Sequence, residues 1–218
     1  MQDERSDIFL AVLDVFADLG LLDDLILVGS WTHLLFREYL GDPKAVPPIR
    51  TTDADFLVTH PKKERKKIDI PAAIRKLGFL EKYDFVNGTA KYVHDELDLE
   101  FLANKIGKGE VNVYDVKPLG IKAHTIRYLS MLEAYVIEVP FQNYKVRVPE
   151  PAAYALHKLL INHERSEKKK IKDMDTVRAL SAELLKRDGE RRRLRQVLEE
   201  IPGKWQRKIL KAAGKETP

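Results

Sequence analysis

The sequence contains no cysteine. That excludes a disulfide framework, a thiolate zinc site, an iron–sulfur cluster and a cysteine nucleophile. It also has no long apolar run near its start. Gln2-Asp3-Glu4-Arg5 leads into Asp7-Ile8-Phe9-Leu10, and Asp14, Asp18, Asp23 and Asp24 interrupt every apolar stretch that follows. Neither a secretory signal nor a membrane span fits this pattern, so the compartment expected is the cytoplasm, with no membrane partner. No repeat at solenoid periods is visible. His94, His124, His157 and His163 are not spaced as metal ligands.

What is present suits a folded chain. Of 218 residues, 44% are hydrophobic and 33% charged, enough for a sizeable core beneath a charged surface in one large domain or two small ones. Lysine and arginine number 38 against 34 acidic residues, a net charge of +4 that is compatible with a phosphate-bearing partner.

Ile8, Val12, Phe16 and Leu19 recur at helical spacing behind a Ser6 cap and before Gly20, which predicts a helix over 6–19. Leu25-Ile26-Leu27-Val28 is a short apolar run that ends at Gly29-Ser30, and Trp31 to Leu40 follows as a helix closed by Gly41. Pro43, Pro47 and Pro48 break the next stretch, and a second strand starts near Asp53. A helix over 70–77, a hairpin through Asn87-Gly88 into Thr89–His94, and a strand carrying Leu97, Leu99 and Phe101 come next. A further hairpin over 136–148 leads to Pro149 and Pro151. Beyond these prolines helix formers dominate, in segments near 152–163, 168–186, 190–200 and 205–212. The boundary divides the chain into an α/β domain over 1–149 and a helical domain over 150–218. Lys168-Lys169-Lys170 and Arg191-Arg192-Arg193 read as solvated helix faces, and His33 with Arg37 as a surface pair.

In Asp53-Ala54-Asp55 both carboxylates project from one strand face, about 6.6 Å apart along the backbone. Two carboxylates side by side repel each other and lose water, a cost that Mg²⁺ ions would remove. Asp98 and Glu100 repeat the spacing on a later strand and could complete an oxygen cage for Mg²⁺ or Mn²⁺. Gly29-Ser30, at a strand-to-helix junction, offers exposed N–H groups and a hydroxyl to a phosphate, or else Ser30 merely caps the helix. Arg50, just before the acidic strand, suits either a phosphate or a neighbouring carboxylate. Lys158 and Arg165 lie two helical turns apart on nearly one face, placed either for the cleft or for solvent, and Lys170 has Asp173 within reach at i, i+3.

The order strand, Gly-Ser, helix, proline-rich loop, Asp-x-Asp strand and third acidic strand resembles the nucleotidyltransferase superfamily of DNA polymerase β. The motif stands here as Leu27-Val28-Gly29-Ser30 and Thr52-Asp53-Ala54-Asp55-Phe56-Leu57-Val58. Within that superfamily, Arg50-Thr51-Thr52-Asp53-Ala54-Asp55-Phe56 and the later Lys158, Arg165, Lys170 and Asp173 are similar to bacterial nucleotidyltransferase-like proteins of the abortive-infection toxin type. The resemblance covers most of residues 25–180. It implies an α/β (α+β) fold, a mixed sheet with flanking helices followed by a C-terminal helical lobe. It also implies an enzyme that uses two Mg²⁺ (or Mn²⁺) ions to move a nucleoside monophosphate from a nucleoside triphosphate to a hydroxyl. Asp53, Asp55 and a third acid would hold metal. Glu100 is the third acid favoured over Asp98, because Glu100-Phe101-Leu102 followed by Gly107 matches the family pattern. Gly29, Ser30, Arg50, Lys158 and Arg165 would hold the nucleotide. The acceptor classes implied include tRNA or another polyanion, and an operon-encoded partner goes with the toxin type. The alternative is a nucleotide-binding or regulatory protein of the same fold that has lost transfer.

Overall fold

A computed structural model describes residues 4–48, 51–63, 66–86, 88–105 and 112–214. The first helix, α1 (Glu4–Asp18), begins two residues ahead of the expected Ser6 cap and buries Phe9, Val12, Leu13 and Phe16 completely. This one face carries the aromatic centre of the core. Phe16 meets Phe56 edge-on at 5.1 Å, and Phe9 lies 4.7 Å from Trp31.

A seven-stranded mixed sheet packs against that centre. β1 (Leu25–Val28) runs antiparallel to β2 (Asp53–Val58), and the hairpin β3 (Leu80–Asp84) with β4 (Thr89–Val93) lies at the far side. Between them β5 (Asp98–Asn104) pairs parallel with β2. The other edge of β5 is shared: β4 takes its first half, antiparallel, and β7 (Ile121–Ile126) its second half, parallel. β6 (Val113–Val116) closes that end against β7. Sequence reading had no strand over 113–126, although Ile121, Ala123 and Thr125 alternate as buried positions. Asn87, of the expected hairpin turn, lies outside the described residues.

Helix α2 (Thr32–Leu40) follows β1 through one 3-10 turn, and α3 (Ile70–Arg75) is capped by Asp69, whose carboxylate accepts the Ala72 N–H at 2.9 Å. The short α4 (Leu129–Ala134) precedes the separate hairpin β8 (Val136–Phe141) and β9 (Tyr144–Pro149).

The C-terminal region is helical: α5 (Pro151–Ile161), α6 (Glu167–Leu185), α7 (Asp188–Glu200) and α8 (Gly203–Gly214). Every residue of α5 is buried, because α6, α7 and α8 pack around it. Pro151 starts it at a position where the missing N–H costs nothing. Arg193 on α7 clamps Glu150, the residue before that proline, through two bonds of 2.6 and 2.8 Å. Among the described residues no helix is long and apolar enough to cross a membrane.

Candidate active site

Strand register builds the acidic face. β2 and β5 run parallel with Asp53 opposite Asp98 and Asp55 opposite Glu100, while Ala54, Phe56, Leu99 and Phe101 turn into the core. Period-two alternation therefore brings all four carboxylates onto one face. The antiparallel β4 adds Lys91 directly opposite Glu100. Its Nζ reaches Asp98 Oδ2 at 2.9 Å and Glu100 Oε1 at 3.5 Å, and it also bonds Asp53 Oδ1. Thr51 Oγ1 donates to the other Asp53 oxygen at 2.8 Å. Burial alone would raise the Asp53 carboxyl, but Lys91 and Thr51 outweigh it and hold the group below its ordinary value. For Asp55, burial comes first and the charges of Glu100 and Asp53 add to it, so its carboxyl is pushed up to about 7.

Gly29 is the residue against which Asp55 rests. It has φ +71, and a Cβ there would lie 2.2 Å from Asp55 Oδ2. Glycine is needed twice over, for the backbone and for the close approach. Its carbonyl accepts Thr32 Oγ1 at 2.7 Å and Tyr154 Oη at 2.8 Å, so a residue of α5 fixes the turn that follows β1. Ser30 sits inside the 3-10 turn Gly29–Trp31, whose cap position is Val28. It lines the cleft and does not cap α2, whose cap position is Trp31 and has no side-chain cap bond.

The opposite wall comes from α5, α6 and the turn between them: α5 ends at Ile161 and Arg165 is extended, so it does not continue the helical face of Lys158 as expected but reaches the same carboxylate from the turn. Lys158 Nζ donates to Asp173 Oδ1 at 2.8 Å, and Arg165 Nε to Asp173 Oδ2 at 3.0 Å. Burial alone would drive Lys158 towards neutrality, yet Tyr154 and Asp173 raise its pKa, and both cations hold the Asp173 carboxyl low against its own burial. Lys172 beside them is lowered, by burial and by Lys158. The expected Lys170–Asp173 pair does not form. Lys170 bonds Glu167 at 2.5 Å, one turn back, because Asp173 faces inward to Lys158 and Arg165.

A cleft of about 510 Å³ separates the walls, with Gly29, Ser30, Asp53, Asp55 and Glu100 on one side and Lys158, Arg165, Lys169 and Lys172 on the other. Of the residues expected at a site, these strand and helix positions come together; Asp98 lies one residue pair along and is joined through Lys91. Arg50 lies outside the described residues.

The profile of a family described as nucleotidyltransferase matches residues 8–201. The chain belongs to that nucleotidyltransferase family. Two structures of the antibiotic-resistance factor ANT(2'')-Ia share the fold. Its solution structure has a TM-score of 0.51 at 13% identity, covering 91% of this chain and 93% of that one. The crystal structure of ANT(2'')-Ia in complex with adenylyl-2''-tobramycin has 0.50 at 14% identity, covering 88% and 98%. No curated protein matches the chain in sequence.

For a nucleotidyltransferase a divalent metal is the cofactor the family implies, and the donors here are all carboxylate oxygens, which suit Mg²⁺ or Mn²⁺. Three of them already converge on one cation, the Lys91 ammonium. Among the described residues no three such side chains are drawn together as a finished cage.

Sequence reasoning missed Lys91, Tyr154, Lys169 and Lys172. Lys172 carries a signal, one turn beyond Lys169 and adjacent to Asp173, but it stands outside the run 168–170 and the run itself reads as a solvated face. His33 and Arg37 also leave the surface role expected of them. His33 is buried with Nδ1 at 3.0 Å from the Pro47 carbonyl, and Arg37 donates to the same oxygen at 3.0 Å, so both brace the proline-rich loop.

Proposed function

We propose that this nucleotidyltransferase moves a nucleoside monophosphate from a nucleoside triphosphate to a hydroxyl acceptor, releasing pyrophosphate, within a cleft between lobes 1–149 and 150–218. The observation that carries this reading is the opposition of charge across one cleft, carboxylates on the strands and, facing them, ammonium groups on α5 and α6 and the Arg165 guanidinium from the turn between them. A metal-bound triphosphate is the ligand that needs both.

Asp53, Asp55 and Glu100 would hold the divalent ions, which supply charge neutralisation at the attacking and leaving oxygens when bound. Gly29 and Ser30 present the turn against which the β- and γ-phosphates lie. Lys158, Arg165 and Lys172 balance the phosphate charge that remains, with Asp173 keeping the first two oriented. Glu100, which stands between Asp55 and Lys91 across the strands, accepts the acceptor's hydroxyl proton as its oxygen bonds to the α-phosphorus. The bond from that phosphorus to the β-phosphate oxygen then breaks, and the electron pair leaves with pyrophosphate.

The net charge of +4 supports a polyanion such as tRNA as acceptor, whereas ANT(2'')-Ia, with adenylyl-tobramycin, points to a polyhydroxylated small molecule. Incubation with Mn²⁺ and each nucleoside triphosphate, labelled at α or at γ, tests both in parallel arms with total RNA and with aminoglycosides. Label from the α position and not from γ should enter an acceptor, and Asp55→Asn should abolish it. Transfer of the γ label, or transfer unaffected by Asp55→Asn, overturns the reading.

A further inference from the structure

Helix α8 differs in charge from the helices beside it. Along α6 and its cap, Lys170, Arg178 and Lys186 each pair with an acid one turn back, and in α7 Arg191 pairs likewise with Asp188. α8 carries four cations, Lys204, Arg207, Lys208 and Lys211, and no acidic residue. Their spacing of three, four and seven puts all four on one exposed face, while Trp205, Ile209 and Ala212 turn towards the core. Like charges three and four residues apart on a helix repel each other. Among the described residues none of the four meets a carboxylate, so that cost stands.

Two separate segments join this face to the rim of the cleft. Ile126 and Leu129 line the cleft, and between them Tyr128 meets α8: its ring lies edge-on to Trp205 at 5.4 Å and its hydroxyl accepts Lys208 Nζ at 2.8 Å. Ile161 and Arg165 line the cleft too, and between them His163 Nε2 stands 3.4 Å from the same ammonium. Glu164 reaches that ring at 3.3 Å and leaves the lysine without an acid. Tyr128 holds φ +68, a left-handed backbone that a bulky residue rarely adopts, and Trp205 and Lys208 hold its side chain. From Lys204 to Lys211 the row of cations runs about 10 Å along α8, with Lys208 at the rim.

We infer that α8 is the docking surface for the acceptor, a single RNA strand whose phosphates lie along the four cations while its terminal hydroxyl enters the cleft. This rests on the nucleotidyl-transfer reading and deepens it. A row of cations without acids fits a row of anions at repeated spacing, which is what a phosphodiester backbone presents. The same row repels an aminoglycoside, whose amino groups are protonated, so it chooses between the two acceptor classes that the cleft alone leaves open. At about 510 Å³ the cleft is of small-molecule size, so beside a nucleoside triphosphate it takes the end of one strand and not a duplex. Unpaired ends and loops are the form in which proteins commonly meet RNA, whereas cellular DNA is a duplex.

Binding of a single-stranded RNA with a free 3′ hydroxyl tests this on the full chain, in wild type and in the triple variant Lys204→Gln/Arg207→Gln/Lys211→Gln, with polyglutamate and phosphatidylserine vesicles as the competing kinds of anion. The triple variant should bind the RNA at least tenfold more weakly, and the slope of log Kd against log salt should shrink by about 2, the value for three lost phosphate contacts. It should unfold at no lower temperature than wild type, because like charges have been removed; Lys204→Gln/Lys211→Gln replaces it if it does not fold. Equal RNA affinity in wild type and variant, or binding of polyglutamate or vesicles in place of RNA, overturns the inference. Transfer of the α label to an aminoglycoside, equal in wild type and variant, overturns the docking role of α8 and keeps nucleotidyl transfer. RNA bound through α8 with no α label passed to any acceptor upholds the RNA surface and overturns nucleotidyl transfer.

Discussion

On the strand wall of the cleft Asp53 keeps 44% of its side chain exposed, Glu100 34% and Asp98 21%, with Lys91 as their common cation. On the helix wall the signs and the burial are reversed: Asp173 is 5% exposed and serves two cations, Lys158, itself 10% exposed, and Arg165. Water can solvate the excess charge of the first wall. On the second wall it reaches Arg165, 31% exposed, but hardly Lys158, so Asp173 must be present for Lys158 to stay charged. The strand wall is thereby suited to exchange its counter-ion for a ligand's, and the helix wall to keep a rigid positive charge.

The sharpest test of this difference is to remove one acid from each wall. Asp173→Ala leaves a buried ammonium without its carboxylate and should destabilise the protein by about 3–5 kcal/mol. Asp53→Ala, at a half-solvated site, should change stability by no more than about 1 kcal/mol. Urea unfolding of both decides; similar losses would erase the distinction between the walls.

Acid should find the buried side next. Burial drives His33 down to about 4, although the Pro47 carbonyl opposes it, and burial with Lys158 drives His157 to about 3. Both are neutral in the folded protein and take up protons on unfolding. Their stabilisation is complete above the ordinary histidine value of 6.5 and is lost as pH falls from there through about 4. For His33 alone the loss is on the order of 3 kcal/mol. Urea midpoints that stay flat over this range would show both rings to be solvated.

Gly29→Ala tests where the walls meet. A left-handed alanine and a Cβ driven into Asp55 should together cost about 2 kcal/mol or more. Adding Asp55→Ala should recover the steric part and leave the backbone part, as thermal unfolding of the single and double variants would report.

One acid gives the opposite sign. Asp55 is raised to about 7, so the folded protein holds its proton more tightly than the unfolded chain does, and ionisation weakens the fold as pH rises from about 4 through 7. Asp55→Asn should therefore be more stable than wild type by on the order of 4 kcal/mol above about pH 7, with the gain gone near pH 4. A destabilised variant at the higher pH would mean that Asp55 already has a cation partner.

Much of this was legible in the order of residues. Asp53, Asp55, Asp98 and Glu100 share a face because a strand alternates, whatever surrounds it. Gly29 was marked by its place after an apolar run, and α5–α8 by helix formers after Pro149 and Pro151. Strands β6 and β7 escaped, although Ile121, Ala123 and Thr125 alternate, because each is short, Pro118 and Gly120 interrupt the segment, and β7 forms against β5 with β6 in turn against β7.

The sequence by itself determined which residues lie on which face of each element, since that follows from periods of two and of 3.6. Tertiary structure alone decided which faces meet. Lys91 enters the acid cluster because β4 pairs with the first half of β5 in one register, and a shift of one residue would have turned it to the other face. Tyr154 reaches the Gly29 carbonyl across 125 positions of chain. Asp173 prefers Lys158 and Arg165 to its helical neighbour Lys170 because α5 and α6 bury it against them, and a buried carboxylate takes the cations it is buried with.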